Sequence, residues 1–501
     1  MRPGRPGIDR PGDPRDRRGG PGGPCRPAQP LPPGRPRALE LGDGGRPAHR
    51  PLRPVGVRPA TRAGIGDDRV SEVRRRRAVV LVANDAAPYS RGLRIARTLT
   101  DLGFAVEIAA VGAPGLPREE RDGDIVIRRY EPLGPWASWA TGRARSRDPR
   151  RLVELAVKGL FWPVHVRGWW LALRRQLAPA DLYHACGILA IPIALRLGAA
   201  ARTDGRAGRV VYDVIDIVLE SNSYPGLRGP LLAWHRRRER RWAESSDAIV
   251  AVNAAIAERV TERWRPVRPV TVLPNGQEAR PVPAERPNLI RAATGLPPER
   301  SIVLFLGRLG PERGLDEAAE AVLRLPDAAL VVIGFGPWAD RLRARDAEPR
   351  FAGRHVTLPA VHPDQVQAWA ASADVSIIAV PAASLNQRLS TPNKFWESLS
   401  GGTPVVVGRD LEVMRRIVEA DDLGAVADPN DPADLARALA GILDRPPAAA
   451  AALRDRCARV SRETFAWEVV DRDYRALVGA LVPAVGPVAG PTTLAPSGER
   501  G

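Results

Sequence analysis

Arg308 and Arg313 lie in the octet Gly307-Arg308-Leu309-Gly310-Pro311-Glu312-Arg313-Gly314, directly after the apolar run Ile302 to Leu306. Such a run reads as a buried strand, and the glycines allow a tight loop leading into a helix. Two guanidiniums at the carboxyl end of a strand suit a multiply charged anion. Paired cations of this kind stabilise negative charge that grows on an anion as a bond to it breaks.

A second stretch, VPAASLNQRLSTPNKFWESLSGGTPVVV from Val380 to Val407, carries the complementary signal. Thr391 suits a helix N-cap and Pro392 the first helical position, where its missing N–H costs nothing. Gly401-Gly402 then stops the helix with residues that tolerate positive φ. The helix is flanked by apolar runs that read as strands, so its amino end points at the carboxyl edge of a parallel sheet. Unpaired N–H groups and the helix dipole make that end an anion site. Lys394, one of only two lysines in the chain, adds an ammonium there. Glu397, a turn and a half further on, has a carboxylate able to accept bonds from the vicinal hydroxyls of a ribose.

The elements that must position these residues repeat along the chain. Ala78–Ala83, Gly92–Leu102 and Ala105–Val111 read as strand, helix and strand, a βαβ opening. Further strands are expected at Val210–Asp216, Asp247–Val252 and Val270–Leu273. After the Pro-rich linker Pro281–Pro287 the alternation restarts. Leu330–Ile333 runs into Gly334-Phe335-Gly336-Pro337, where two glycines let backbone approach a ligand, and Val356–Val361 follows. A helix from about Ala451 to Leu481 ends the ordered chain. The expected organisation is a Pro/Gly/Arg-rich tail over 1–77, domains over 78–280 and 281–481, and a second tail over 482–501.

The 501 residues carry a net charge of +18, of which 19 Arg against 8 acids, +11, lies in residues 1–77. That segment has no aromatic residue, which argues against nucleic acid as partner. Its composition cannot bury a core. Cys25, Cys186 and Cys457 are scattered, giving neither a disulfide framework nor a metal spacing, as in a reducing cytoplasm. No signal peptide and no membrane span are expected.

Together the two motifs resemble the donor site of the family 4 retaining glycosyltransferases. That implies α/β architecture of GT-B type, two Rossmann-like domains facing across a cleft, over about Ala78–Leu481. The resemblance implies a nucleotide-diphosphate sugar as donor, no cofactor, no metal, and a glycan or lipid-linked acceptor. It implies diphosphate contacts from Gly307, Arg308 and Arg313, with Arg313 standing where the family has lysine. The turn Gly334–Pro337 and backbone near Ala360-Val361 would meet the nucleotide. Ser390, Thr391, Asn393 and Lys394 would line the donor, and Glu397 would hold the ribose. The family's first glutamate is missing, with Leu389 in its place, so sugar contacts fall to backbone amides or to Asn386, Ser390 or Asn393.

In the first half, Ala180–Ala185 resembles a family strand end that would set His184 at the reacting face; Cys186 and Gly187 depart from the pattern. Arg91 matches an arginine that precedes the first helix. Asp213, Asp216 and Glu220 form an acidic cluster that could receive an acceptor hydroxyl or pair with Arg236–Arg241; pairing is the favoured reading. Asp122-Gly123-Asp124 reads as a turn rather than a metal site. Trp136, Trp139, Trp162, Trp169 and Trp170 among arginines could sit on an anionic bilayer at the inner face of the plasma membrane, or pack in the core. Alternatives to transfer are a GT-B epimerase and a non-catalytic nucleotide-sugar-binding subunit of a polysaccharide assembly.

Overall fold

The computed structural model describes residues 75–87, 89–133, 166–221, 229–280 and 285–483. Two sheets account for the strands. The first is β1 (Arg77–Val82), β2 (Ala105–Val111), β3 (Glu119–Asp122), β4 (Ile125–Tyr130), β5 (Leu182–Cys186), β6 (Arg209–Val214), β7 (Ala248–Ala251) and β8 (Thr271–Val272), in the order β3-β4-β2-β1-β5-β6-β7-β8. The second is β9 (Ser301–Arg308), β10 (Ala328–Phe335), β11 (His355–Pro359), β12 (Val375–Ile378), β13 (Val405–Gly408) and β14 (Gly424–Ala427), in the order β11-β10-β9-β12-β13-β14. All neighbours are parallel except β3 with β4.

Alternation along each central strand buries both faces. Val79 and Leu81 of β1 join one core cluster; Ala78, Val80 and Val82 join the other. In β9, Val303 and Phe305 face one cluster, and Ile302, Leu304 and Leu306 the opposite one. The second sheet reverses its order between β9 and β12. The loops that leave these two strands therefore diverge to opposite faces and open a crevice at the carboxyl edge. Both motifs stand there.

The carboxyl-terminal segment is three helices, Pro447–Thr464, Trp467–Val470 and Arg472–Leu481, where the sequence suggested one. Trp467, Tyr474, Val478 and Val482 pack with β1 and β2, so the chain returns to the first lobe. Gly276 makes room for this crossing, since a Cβ there would lie 1.7 Å from Phe465 O. Asp122-Gly123-Asp124 is the turn of the β3–β4 hairpin, with Gly123 at φ 58°. That hairpin had no clear sequence signal because Glu119–Asp122 is wholly charged.

Trp169 is 2% exposed and packs in the first lobe's core beside Ala172 and Leu173. Trp170 is half-buried beneath the guanidiniums of Arg174 and Arg196. Trp136, Trp139 and Trp162 lie outside the described residues. Among the described residues no helix is long and apolar enough to cross a membrane.

Candidate functional site

A cavity of about 770 Å³ opens between the lobes at the crevice. The second lobe lines it with Arg308, Glu312 and Arg313 from the β9 loop, and with Ser384, Asn386, Gln387, Ser390, Thr391, Pro392, Asn393 and Lys394 after β12. The first lobe contributes Ile215, Asp216, Ser221, Val252 and Asn275.

The β9 loop is held by close backbone packing. Glu312 adopts φ 61°, a left-handed conformation costing an L-residue on the order of 1 kcal/mol. Gly314 follows at φ 66°, and a Cβ there would lie 2.0 Å from Ala379 O. Arg308 is exposed and Arg313 half-buried, and neither makes a salt bridge to a described residue. Burial and the neighbouring Arg308 charge lower the Arg313 pKa, against the pull of Glu312. Two guanidiniums that repel each other in a cavity form an anion site.

The helix that faces them runs Asn393–Ser400, one residue later than expected. Pro392, not Thr391, is its N-cap, and it offers no side-chain cap. Thr391 is instead 2% exposed, and its hydroxyl accepts from Asn253 Nδ2 of the first lobe at 3.3 Å. Lys394 Nζ lies 4.1 Å from the centre of the Phe305 ring. Burial, with help from Arg313 and against Glu397, brings its pKa down to about 7. Asn393 Nδ2 donates to Ser90 Oγ at 2.9 Å, while its Oδ1 is buried with no partner among the described residues. The Ser390 hydroxyl donates to Asn386 O.

Eight candidate site residues singled out from sequence thus share one cavity: Asp216, Arg308, Arg313, Asn386, Ser390, Thr391, Asn393 and Lys394. Glu397 opens on a second cavity of about 50 Å³, with Arg94, Gln277, Glu278 and Gln367. Burial raises its pKa to about 7, opposed by Arg94 and Lys394. Arg94 itself is 4% exposed, and its Nε and Nη2 lack partners among the described residues. No sequence signal marks Arg94, because a mid-helix arginine ordinarily points to solvent.

Three expected contacts are placed otherwise. Gly334 and Gly336 are needed for loop against loop, since a Cβ would come within 1.8 Å of Gly307 O and 2.1 Å of Leu309 O respectively. Gly307, at φ 117°, lies beneath Lys394, whose Cδ would be 3.9 Å from an added Cβ. Val361 packs beside the Ile302–Leu304 core and lines neither cavity.

His184 is fully buried and does not line the cleft. Its Nε2 meets Asp213 Oδ2 at 3.2 Å, and its Nδ1 meets the Tyr474 hydroxyl at 2.9 Å. The carboxylate only accepts, so Nε2 donates and Nδ1 accepts from Tyr474. Arg91 donates to both Asp213 oxygens, to Leu273 O and to Asn275 Oδ1. Burial alone would raise the Asp213 pKa; Arg91 and His184 outweigh it and hold it at about 2. The fold also brings Cys186 to this pair, with metal-ligating atoms of the three within 4.8 Å of one another. With both Asp213 oxygens bound by Arg91, the group fits a buried ion-pair network better than a cation site.

The acidic cluster therefore separates. Asp213 is structural. Glu220 pairs with Arg259 and Arg263 at 3.2 Å, and of the Arg236–Arg241 run only Arg236 reaches it, at 3.9 Å. Asp216 faces the large cavity. Leu389, in place of the absent glutamate, is 9% exposed and packs into the first lobe's core.

Comparison with known proteins agrees with this layout. Residues 93–279 match the family model Glycosyltransferase Family 4, and 288–464 match Glycosyl transferases group 1. The chain is 29% identical over 393 residues to 2-deoxystreptamine glucosyltransferase of Streptomyces kanamyceticus, covering 72% of this chain and 91% of that one. It is 30% identical over 298 residues to a GDP-mannose-dependent α-(1-6)-phosphatidylinositol monomannoside mannosyltransferase of Mycobacterium tuberculosis, covering 56% and 73%. Among solved structures, sucrose-phosphate synthase of Thermosynechococcus elongatus superposes with TM-score 0.59 at 19% identity over 81% of this chain and all of that one. Anabaena Alr3699/HepE in complex with UDP-glucose gives 0.56 at 14%, over 81% and 99%. The two family models, these relatives and the two sheets facing across a cleft together show that the chain belongs to the family 4 glycosyltransferases, of GT-B fold.

Proposed function

We propose that the protein is a metal-independent, retaining hexosyltransferase that moves a sugar from a nucleotide-diphosphate donor to a glycan or lipid-linked acceptor. One observation carries this reading: Arg308, Arg313 and Lys394 share a cavity in which neither guanidinium has a salt-bridge partner among the described residues. A diphosphate supplies the missing charge. As the bond from C1 to the phosphate oxygen breaks, the cations take up the developing charge. The acceptor oxygen bonds C1 on the same face, and its proton passes to the leaving phosphate. Ser390, Thr391 and Asn393 line the donor, whose ribose reaches Glu397 at the edge of the smaller cavity. Lobe closure excludes water. His184 acts at a distance, by fixing Asp213 and the returning helix.

The relatives that act on a phosphatidylinositol mannoside make a lipid-linked acceptor reasonable, as does Trp170 under two guanidiniums. We place the working enzyme at the cytoplasmic face of an anionic membrane. Co-sedimentation with anionic vesicles at low salt checks this, and no binding removes it.

The direct test of the donor site is a thermal-shift screen of UDP, GDP, ADP and their sugars. One base should raise Tm, since ligand at about 100 times Kd stabilises by about 2.7 kcal/mol. Arg308→Ala and Arg313→Ala should each shrink the shift markedly. Silence with every nucleotide sinks the proposal, and inverted product anomers on NMR would sink retention. A second reading, a binding subunit without turnover, is favoured by Leu389, which leaves the cavity without the family's first carboxylate. Release of free nucleotide from a bound sugar nucleotide would exclude it.

A further inference from the structure

The geometry points to Asp216, held by Asn386, as the carboxylate that receives hydroxyls of the transferred sugar. This rests on the donor reading above. Asp216 belongs to the first lobe, just past β6, and lines the 770 Å³ cavity together with the three cations of the second lobe. It is exposed to the cleft and has no salt bridge to a described residue. The protein around it displaces part of its water and raises its pKa, opposed by the bond from Asn386, and no cation of a described residue lies within ion-pair distance of it. The cations and the carboxylate thus line one cavity without pairing with each other. A ligand with a diphosphate at one end and hydroxyls at the other spans both.

Asn386 fixes the carboxylate. Its Nδ2 donates to Asp216 Oδ1 at 2.9 Å, and its Oδ1 accepts from Ile217 N at 2.8 Å. Both partners set the amide in one orientation, because a flip would place oxygen against oxygen. Asp216 Oδ2 accepts no bond from a described residue. Sugar hydroxyls are donors, and an ionised carboxylate is acceptor-only, with capacity for two of them. The other cavity-lining carboxyl, Glu312, lies in the arginine loop and offsets Arg313. Leu389 is turned into the first lobe's core and offers nothing polar.

Calorimetric titration of wild type, Asp216→Ala, Asp216→Asn and Asn386→Ala with UDP, GDP, UDP-glucose and GDP-mannose tests this. The nucleotide that binds should bind with unchanged affinity in every variant. The additional affinity from its sugar should fall about 10- to 100-fold in Asp216→Ala, the usual effect of losing hydrogen bonds to a charged group, and less in Asn386→Ala. Asp216→Glu should restore part of it. If UDP, GDP and ADP all fail to bind wild type, the donor reading itself fails. If a nucleotide binds but its sugar adds no affinity, or adds the same in Asp216→Ala, the assignment of Asp216 is overturned while the donor reading stands. Unchanged sugar binding with slowed transfer also overturns it, in favour of the acceptor. Asp216 is not a core residue, and retained nucleotide affinity in each variant serves as the check on folding.

Discussion

Lys394 is half-buried over the ring of Phe305, and desolvation together with the charge of Arg313 brings its pKa down to about 7. Glu397, one turn along the same helix, titrates at about 7 as well, pushed up by burial. Each loses positive or gains negative charge as pH rises, so both changes oppose an anion in the same sense. A diphosphate should bind with proton uptake, and its affinity should fall as pH rises from about 6.5 to 8.5. Calorimetry across that range, in buffers of different ionisation heat, checks this. Lys394→Arg should flatten the dependence, leaving the smaller part due to Glu397. Arg308→Ala and Arg313→Ala should each weaken nucleotide diphosphate about 10- to 100-fold, the usual effect of losing a charged hydrogen bond, with little change in Tm without ligand.

At the scale of elements, the returning helix Arg472–Leu481 is bound to β5 and β6 by the chain Tyr474, His184, Asp213 and Arg91. Removing one partner of a buried ion pair leaves the other uncompensated, and typically costs 3–5 kcal/mol. Asp213→Asn should therefore lower stability to urea by about 3–5 kcal/mol at pH 7. The Asp213 pKa is depressed in the folded state. Its contribution is present above the ordinary carboxylate value of about 4 and is lost as pH falls through about 2. The gap between wild type and variant should close over that window. Gly276 supports the same crossing; Gly276→Ala forces a Cβ against Phe465 O and should cost about 1–3 kcal/mol, read by the same titration.

For the whole molecule, the lobes are joined by polar contacts across the cleft. Asn253 Nδ2 donates to Leu389 O at 2.8 Å, Asn386 bridges to Asp216 and Ile217, and Asn393 reaches Ser90. Leu385 and Leu389, from the second lobe's helix Leu385–Leu389, pack against the first lobe's core. Asn253 also caps the helix Ala254–Trp264, its Oδ1 accepting from Ile256 N. Asn253→Asp keeps that cap and removes the donor to Leu389. It should open the ligand-free molecule, seen as a larger radius of gyration in small-angle scattering, with nucleotide restoring the wild-type value. An unchanged radius would show that the remaining contacts, from Asn386, Asn393, Leu385 and Leu389, suffice to hold the lobes.

Most of the central strands and the two loop-and-helix motifs were legible from residues alone, because burial on both faces leaves continuous apolar runs and tight loops demand glycine; the charged strand Glu119–Asp122 was not. Arg308, Arg313 and Lys394 can be paired from their places in the chain, since strand end and helix start must meet at the reversal of a parallel sheet. The places where Thr391, Gly334, Gly336 and His184 finally sit were decided by tertiary packing. A threonine before a proline can cap a helix or bond across the cleft, and only the approach of Asn253 chooses between these. Asp213 and Asp216 are three residues apart on one strand end, yet one is sealed beneath Arg91 and the other faces the cleft. Local spacing carries no record of which lobe, helix or returning segment will cover a side chain, because those partners come from hundreds of residues away.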